Sequence, residues 1–550
     1  MERIKEQLKV QKLKSNKAIT LIALVVTIVV LLILAGISLN LVLGNNGLIK
    51  KSKDAKEETT VADEKEKVEM AYVSAALKKL GDTVTAEELQ EELDSSVGAG
   101  KTVVTSNGDG TLNVLFNETG HNYNVDEGTV EKVEIDNTKM AMFDTGENVA
   151  KKMHTLAIEG EIIEDGQSWG NLSINAIKRY KETPDLTKMT DANIVSWTDA
   201  YTAYEQNPSA YKSMIPEGTK LCPIYMWFEE SGEEIRGMDG SKGLTEITNS
   251  NTQKKVKTGT IYWWSESQNV YLNTDSSNMF VGLSYLADIS GLSELKTDYV
   301  TNMSRMFLWS THNLTNVNAL KNWNTANVED MNALFYSWNG DISDISGLKN
   351  WNTAKVTDMS SMFVGSGFED VEALSNWNTS NVTNMSYMFG NEDTGSNIKK
   401  IDGITNWDVS KVANMQGMFY TCSITDLSAI SKWNVSNVTC MDSMFLGCKI
   451  QDLSAISNWN VSKVTDMSSM FNYCKIDNLN PISNWNVSNV TSVRQMFQGN
   501  PITDASGINN WDITKVESFY CMFGSCPTHP EFTKVAGTWD NNGTFTPTTK

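Results

Sequence analysis

Histidine, cysteine and clustered carboxylates are the side chains best suited to chemistry, and this 550-residue chain holds four histidines and seven cysteines. His121, His154, His312 and His529 each stand apart from any cysteine or carboxylate at metal-ligand spacing. No Gly-rich loop opens a helix as a phosphate cradle, and no nucleophile elbow is present. Glu159, Glu161, Glu164 and Asp165 are crowded enough to pair as general acid and base, although a solvated acidic turn is the plainer reading. Cys422, Cys448, Cys474 and Cys526 recur at one repeat position, with Asn500 filling the gap. They read as a column of small buried residues rather than a metal or redox site, because side chains on in-register neighbours point parallel and not at each other. Trp263 and Trp264 would suit a carbohydrate platform. No residue is assigned a catalytic, cofactor-binding or metal-ligating role, no cofactor is expected, and an enzyme within residues 136–260 is a remote alternative.

Those positions are set by a repeat. Residues 459–471 read Trp-Asn-Val-Ser-Lys-Val-Thr-Asp-Met-Ser-Ser-Met-Phe, and residues 433–445 read almost the same. The repeat-core tryptophans are Trp323, Trp351, Trp377, Trp407, Trp433, Trp459, Trp485 and Trp511, spaced by 28, 26, 30, 26, 26, 26 and 26 residues. Phe335, Phe363, Phe389, Phe419, Phe445, Phe471, Phe497 and Phe523 keep step, and residues 300–307 are an earlier copy without its Trp. A fixed period of this size predicts a solenoid, because one unit cannot bury its apolar face alone. Val464, Met467, Met470 and Phe471 fall on one face of a short helical segment. Pairs such as Ile476/Leu479 then predict rungs of a parallel sheet about 4.8 Å apart. The residue before the repeat Val alternates: Asn327, Lys355, Asn381, Lys411, Asn437, Lys463, Asn489, Lys515. Either repulsion between stacked lysines or duplication of a two-coil ancestor accounts for that.

The array of residues 300–526 resembles the BspA-type leucine-rich-repeat surface proteins of bacteria, whose units read W-N-T-S-x-V-T-x-M-x-x-M-F. The resemblance implies adhesion or binding and no catalysis, and names no ligand.

The remainder is read in chain order. Residues 1–17 form a basic leader, and residues 18–43 are almost wholly apolar. As a helix they would span about 39 Å, enough to cross a bilayer with the bulk of the chain outside. The leader and apolar run resemble a type IV prepilin N-terminus, which implies a possible processing site between Ala18 and Ile19. The family's Gly before the cut and its Glu at the fifth residue after it are here Ala18 and Ala23. Residues 47–80 predict a charged amphipathic helix, with Lys53/Glu57 and Asp63/Lys67 at ion-pair spacing. Thr85 and Glu88 form a capping box, and strands follow around the turn sequence at residues 107–110.

The expected fold class is thus a multidomain α+β chain. It comprises a leader (1–17), a transmembrane helix (18–43), a pilin-like helix and antiparallel sheet (44–135), and a linker or small domain (136–215). A β-rich N-terminal cap (216–295), a right-handed leucine-rich-repeat-like solenoid (296–526) and a C-terminal cap and tail (527–550) complete it. The net charge of −21 argues against nucleic acid. The expected partners are the lipid bilayer through residues 18–43 and an unknown extracellular protein or glycan. The function expected is that of a single-pass, membrane-anchored cell-surface adhesion protein; a minor pilin-like subunit carrying the array on a filament is the alternative.

Overall fold

The computed structural model describes residues 48–548 apart from 80–82, 107–110, 117–118, 120, 133–135, 158–172, 186, 188–194, 197–214, 216–217, 237–240, 249–254, 338–339 and 392–395. Two compact units divide at residues 134 and 135.

The first unit packs helix α1 (Leu48–Lys79) and helix α2 (Ala86–Ser96) with four strands: β1 (Thr102–Ser106), β2 (Leu112–Phe116), β3 (Asn122–Asp126) and β4 (Thr129–Lys132). The strands form an antiparallel meander in sequence order. Apolar residues at helical spacing in α1 (Val68, Ala71, Ala75) meet those at alternate strand positions (Val114, Phe116, Tyr123, Val125) in one core. The Thr85 and Glu88 side chains each accept the other's backbone N–H, which caps α2. Gln90 of α2 accepts the Val104 N–H of edge strand β1 at 2.8 Å, so that donor is not left unpaired. Lys67 pairs with Asp63 at 2.6 Å on the exposed side of α1.

A carboxylate lies inside this core. Glu64 of α1 is 4% exposed. Its carboxylate accepts from Thr119 Oγ1 at 2.7 Å and Tyr123 Oη at 2.8 Å, and lies 2.7 Å from His121 Nδ1. Burial and the adjacent carboxylate push the Tyr123 phenol upward, so it stays a donor.

The second unit opens with a mixed layer. Strands β5 (Lys139–Met142), β6 (Ile174–Arg179), β7 (Val195–Ser196), β8 (Lys220–Leu221), β9 (Ile224–Glu230), β10 (Glu246–Thr248), β11 (Lys255–Lys257), β12 (Gly259–Ser265) and β13 (Val270–Tyr271) join helix α3 (Gly146–Ala157). They form sheets ordered β6-β12-β9-β7 and β13-β5-β8, plus the pair β10-β11. Their buried side chains and those of the repeats form one continuous core, from Ala141 to Phe545.

Two expectations are corrected. The longest helix among the described residues, α1, is long enough to cross a bilayer but carries charges throughout. No described helix is both long and apolar enough to do so. The transmembrane helix and the single-pass membrane localisation therefore lack support. Residues 18–43, including Ala18 and Ile19, and the leader 1–17 lie outside the described residues, as does the bilayer contact placed there.

The second correction concerns the leucine-rich-repeat-like solenoid. Among the described residues, 296–526 hold neither a strand nor an α-helix. The expected rungs meet only through single parallel bridges, such as Asn316↔Asp344, Asp370↔Lys400 and Asn478↔Asp504. Each rung is cut short by a 3-10 turn, for example Ser454–Ile456 or Asn480–Ile482. The expected Met–Phe helical segment is a run of tandem turns. Met467, Ser469, Phe471 and Tyr473 donate their N–H groups to carbonyls of the next coil, at 2.7–3.1 Å, and not back along a helix. Their intervening neighbours close turns locally, with Met470 N–H reaching Met467 O and Asn472 N–H reaching Ser469 O. Ser469 and Tyr473 have φ of 52° and 53°, a backbone shape that ends any right-handed helix.

The stack also begins earlier than residue 296. Asn278, Phe280 and Gly282 donate to Ser304, Met306 and Leu308 in the same alternating pattern, and Phe280 stacks on Phe307 at 5.0 Å. At the far end, strands β14 (Gly537–Trp539) and β15 (Phe545–Pro547) form a hairpin over the last coil. Phe523 meets Trp539 edge-on at 5.3 Å, and its N–H donates to Gly543 O.

The Glu64 cluster yields a stability prediction. Glu64→Ala removes the acceptor at 2.8 Å from the buried Tyr123 hydroxyl, leaves it only Val61 O at 3.3 Å, and should destabilise the first unit by about 1–3 kcal/mol. Chemical denaturation followed through Tyr123 fluorescence or hydrogen exchange of β3 checks this; an unchanged midpoint refutes it.

Candidate functional site

The chain's recurring chemistry lies in side chains that reach from one coil to another. Each repeat tryptophan is buried, and its indole Nε1 donates to a carbonyl of the preceding coil. Trp323 reaches Leu292 O, Trp459 reaches Ile430 O and Trp511 reaches Ile482 O, at 3.0–3.2 Å. Trp351, Trp377, Trp407, Trp433 and Trp485 do the same. Trp351 lies parallel to Trp377, and Trp377 to Trp407, with centroids 6.4–6.5 Å apart. The eight repeat phenylalanines form a second buried column, with centroids 5.3–5.9 Å apart from Phe335 to Phe523.

The cysteine column is a donor column. The Sγ atoms of Cys448, Cys474 and Cys526 lie 3.0–3.1 Å from the carbonyl oxygens of Phe419, Phe445 and Phe497. Asn500 Nδ2 makes the equivalent contact to Phe471 O at 2.7 Å. Burial pushes the Cys422 and Cys474 thiols up to about 12 and Cys526 up to about 11. They therefore stay protonated, which suits a donor and opposes nucleophilic or metal-ligating use.

The Asn/Lys alternation acquires a reason that repulsion and duplication do not contain. Lys355, Lys411, Lys463 and Lys515 each donate Nζ to the Oδ1 of the asparagine one coil before: Asn327, Asn381, Asn437 and Asn489, at 2.6–2.7 Å. Those asparagines send Nδ2 further back, to Asp298 O, Ala354 O, Ser410 O and Ser462 O. The Asn-x-Ser sequences are turn caps: Asn434 Oδ1 accepts the Ser436 N–H, and Asn460 the Ser462 N–H, at 3.2 Å. Asp426 and Asp452, which border a shallow depression, are likewise committed to the N–H and hydroxyl of Ser428 and Ser454.

The other chemistry-bearing residues stand apart from one another. The acidic cluster Glu159, Glu161, Glu164 and Asp165 lies outside the described residues. Trp263 is 1% exposed and packs edge-on to Phe143, so it offers no open ring. Its neighbour Trp264 lies against Tyr225 at 6.0 Å. His154 is buried under Val281, His312 is buried in the array, and His529 stacks on Trp539. Among the described residues no His, Cys, Asp and Glu side chains gather as a metal site.

A feature unread in the sequence is a second backbone constraint that most coils share. The residue two after the repeat Phe has positive φ at Trp309, Gly365, Thr421, Gly447, Tyr473, Gly499 and Ser525, between 53° and 75°. Its signal was available, since Gly365, Gly447 and Gly499 share that one repeat position.

Stacked coils joined by their side chains and by single backbone bridges define a repeat protein. Within that class the chain belongs to the family described as Mycoplasma protein of unknown function, DUF285. Its model matches residues 248–346, 341–453, 393–475 and 448–544, together more than half of the chain. No curated protein and no solved structure matches it.

Phe471→Ala should cost about 3–5 kcal/mol, as for other buried phenylalanines. Its loss of hydrogen-exchange protection should reach the coils of both Phe445 and Phe497. Lys463→Asn, on the exposed column, should cost less than about 0.5 kcal/mol. Protection loss confined to one coil would refute a shared core.

A pH effect should come from His154, whose imidazole burial drives down to about 4. Below its ordinary value near 6.5 the unfolded chain takes up a proton that the folded chain refuses, so stability falls as pH drops from 6.5 toward 4. Between pH 7 and 4.5 the native chain should lose about 2–3 kcal/mol more than His154→Gln, measured by denaturant titration; parallel losses would refute it.

Proposed function

We propose that this chain is a non-catalytic binding protein that holds a protein or glycan partner along the side of its stacked coils. The observation that carries the reading is the use of polar side chains in the array. Lys463, Asn437, Asp452 and their equivalents hold coil to coil or cap turns, and so fix the spacing of the groups around them. A face repeated at coil intervals suits a partner held by many weak contacts. The resemblance of the units to BspA-type proteins, which bind rather than catalyse, supports the same reading.

The test uses the full chain against immobilised extracellular-matrix proteins and glycans, followed by interferometry. At least one surface should retain the native chain, and Trp459→Ala, which breaks the register mid-array, should weaken retention at least about tenfold. Retention on no surface, or equal retention of the variant, would overturn the proposal.

A further inference from the structure

Most large apolar side chains of the second unit are buried. Among its described residues three are exposed: Trp309, Tyr473 and Tyr520. All three are aromatic. Tyr473 is the most informative, because its position opposes it twice.

First, its backbone is left-handed, with φ of 53°. The same repeat position carries Gly447 one coil before and Gly499 one coil after, at φ of 73° and 75°. A bulky L-residue is disfavoured there relative to the right-handed region. Second, the side chain is 58% exposed, so burial offsets little of that cost. Strain held for so little burial in return marks a position kept for something else.

The surroundings indicate what that is. One side of the Tyr473 ring rests over Gly499, where any Cβ would come within 2.5 Å of the ring. Glycine there gives the ring a flat seat. The Tyr473 N–H donates to Gln498 O at 2.7 Å, and the Gln495 N–H donates to Tyr520 O at 2.8 Å. Three successive coils therefore present Tyr473, then the segment holding Arg494, Gln495 and Gln498, then Tyr520. Tyr520 is 54% exposed, with the Arg494 guanidinium 5.2 Å from its ring centre. The two tyrosines lie two coils apart and out of step: two coils after Tyr473 its repeat position holds Ser525, and Tyr520 comes five residues earlier in that coil.

We infer that Tyr473 and Tyr520 form a station for a neutral glycan, with pyranose rings lying on the tyrosine faces and hydroxyls meeting the Gln495, Gln498 and Arg494 side chains. Open aromatic faces match the C–H faces of sugars. Gln495 Nε2 donates to Gln498 Oε1 at 2.6 Å, which leaves the Gln495 carbonyl oxygen, the Gln498 N–H groups and the guanidinium to meet hydroxyls. A protein partner would favour a contiguous apolar centre, whereas a polar coil separates these rings. The inference rests on the binding role proposed above and specifies its partner.

The test is a printed array of neutral gluco-, galacto- and manno-oligosaccharides, probed with the full chain, then calorimetric titration of the best binder. Two variants accompany it. Tyr473→Gly restores the residue found in neighbouring coils and should melt at the native temperature or above. Together with Tyr520→Ala it should raise the Kd at least about tenfold, or about 1.4 kcal/mol. Silence of the array, or unchanged affinity in Tyr473→Gly, overturns the inference. So does a lower melting temperature for Tyr473→Gly with affinity intact, since the ring would then be serving packing. If a matrix protein still retains the chain while the array is silent, the glycan assignment alone falls and the binding role stands.

Discussion

An indole N–H buried in a coil must find an acceptor, and in this array it finds one in the coil before its own. That bond, repeated from Trp323 to Trp511, sets how far each coil advances and how it is rotated on its neighbour. A slipped coil would bury an unpaired donor, which costs about 1–3 kcal/mol. The parallel Trp column follows from the same constraint, because a fixed donor geometry leaves each indole one orientation, and the Phe column packs against it, as Phe363 does on Trp377 at 6.2 Å. The thiols over the Phe carbonyls and the lysines over the asparagines repeat that solution at the core edge and on the surface. Stability therefore belongs to pairs of coils, as in other repeat arrays.

This arrangement also decides which side chains remain for binding. Asp426, Asp452 and Asn434 look available in sequence, but they cap turns. The groups left over sit beside the left-handed positions, where the chain turns outward. There, the choice among glycine, a small residue and an aromatic varies from coil to coil without disturbing the core. Variation at Tyr473 and Gly499 thus changes the face, while Trp485 and Phe497 keep the register.

Much of the array was legible because its signal is spacing. Trp459 and Phe471 recur at a fixed interval, and only stacking buries such residues. Thr85 with Glu88 was legible because a capping box is local. What escaped was whatever depends on backbone hydrogen bonds to another coil. Met467, Met470 and Phe471 have helical spacing, yet alternate N–H groups point to the next coil, so the period of the side chains misstates the backbone. The rungs failed as a sheet for a related reason: Leu479 has already left the extended region, with φ −101° and ψ 3°, and the turn at Asn480–Ile482 ends the rung after one bridge. The early coil at Met279–Phe280 lacks its tryptophan and so carried only half the pattern. Glu64, His121 and Tyr123 come from distant segments that only the fold unites.

The lysine-to-asparagine bond gives the array a parity. Each Lys needs an Asn in the coil before it, and each of those asparagines turns its amide backward while its oxygen waits for the next Lys. Removing one coil by recombination would set two lysines or two asparagines side by side and leave one partner unmatched. Removing two coils would restore the sequence of partners intact. Each such bond is exposed and individually weak, so the parity governs which side chains meet on that column rather than whether the stack holds.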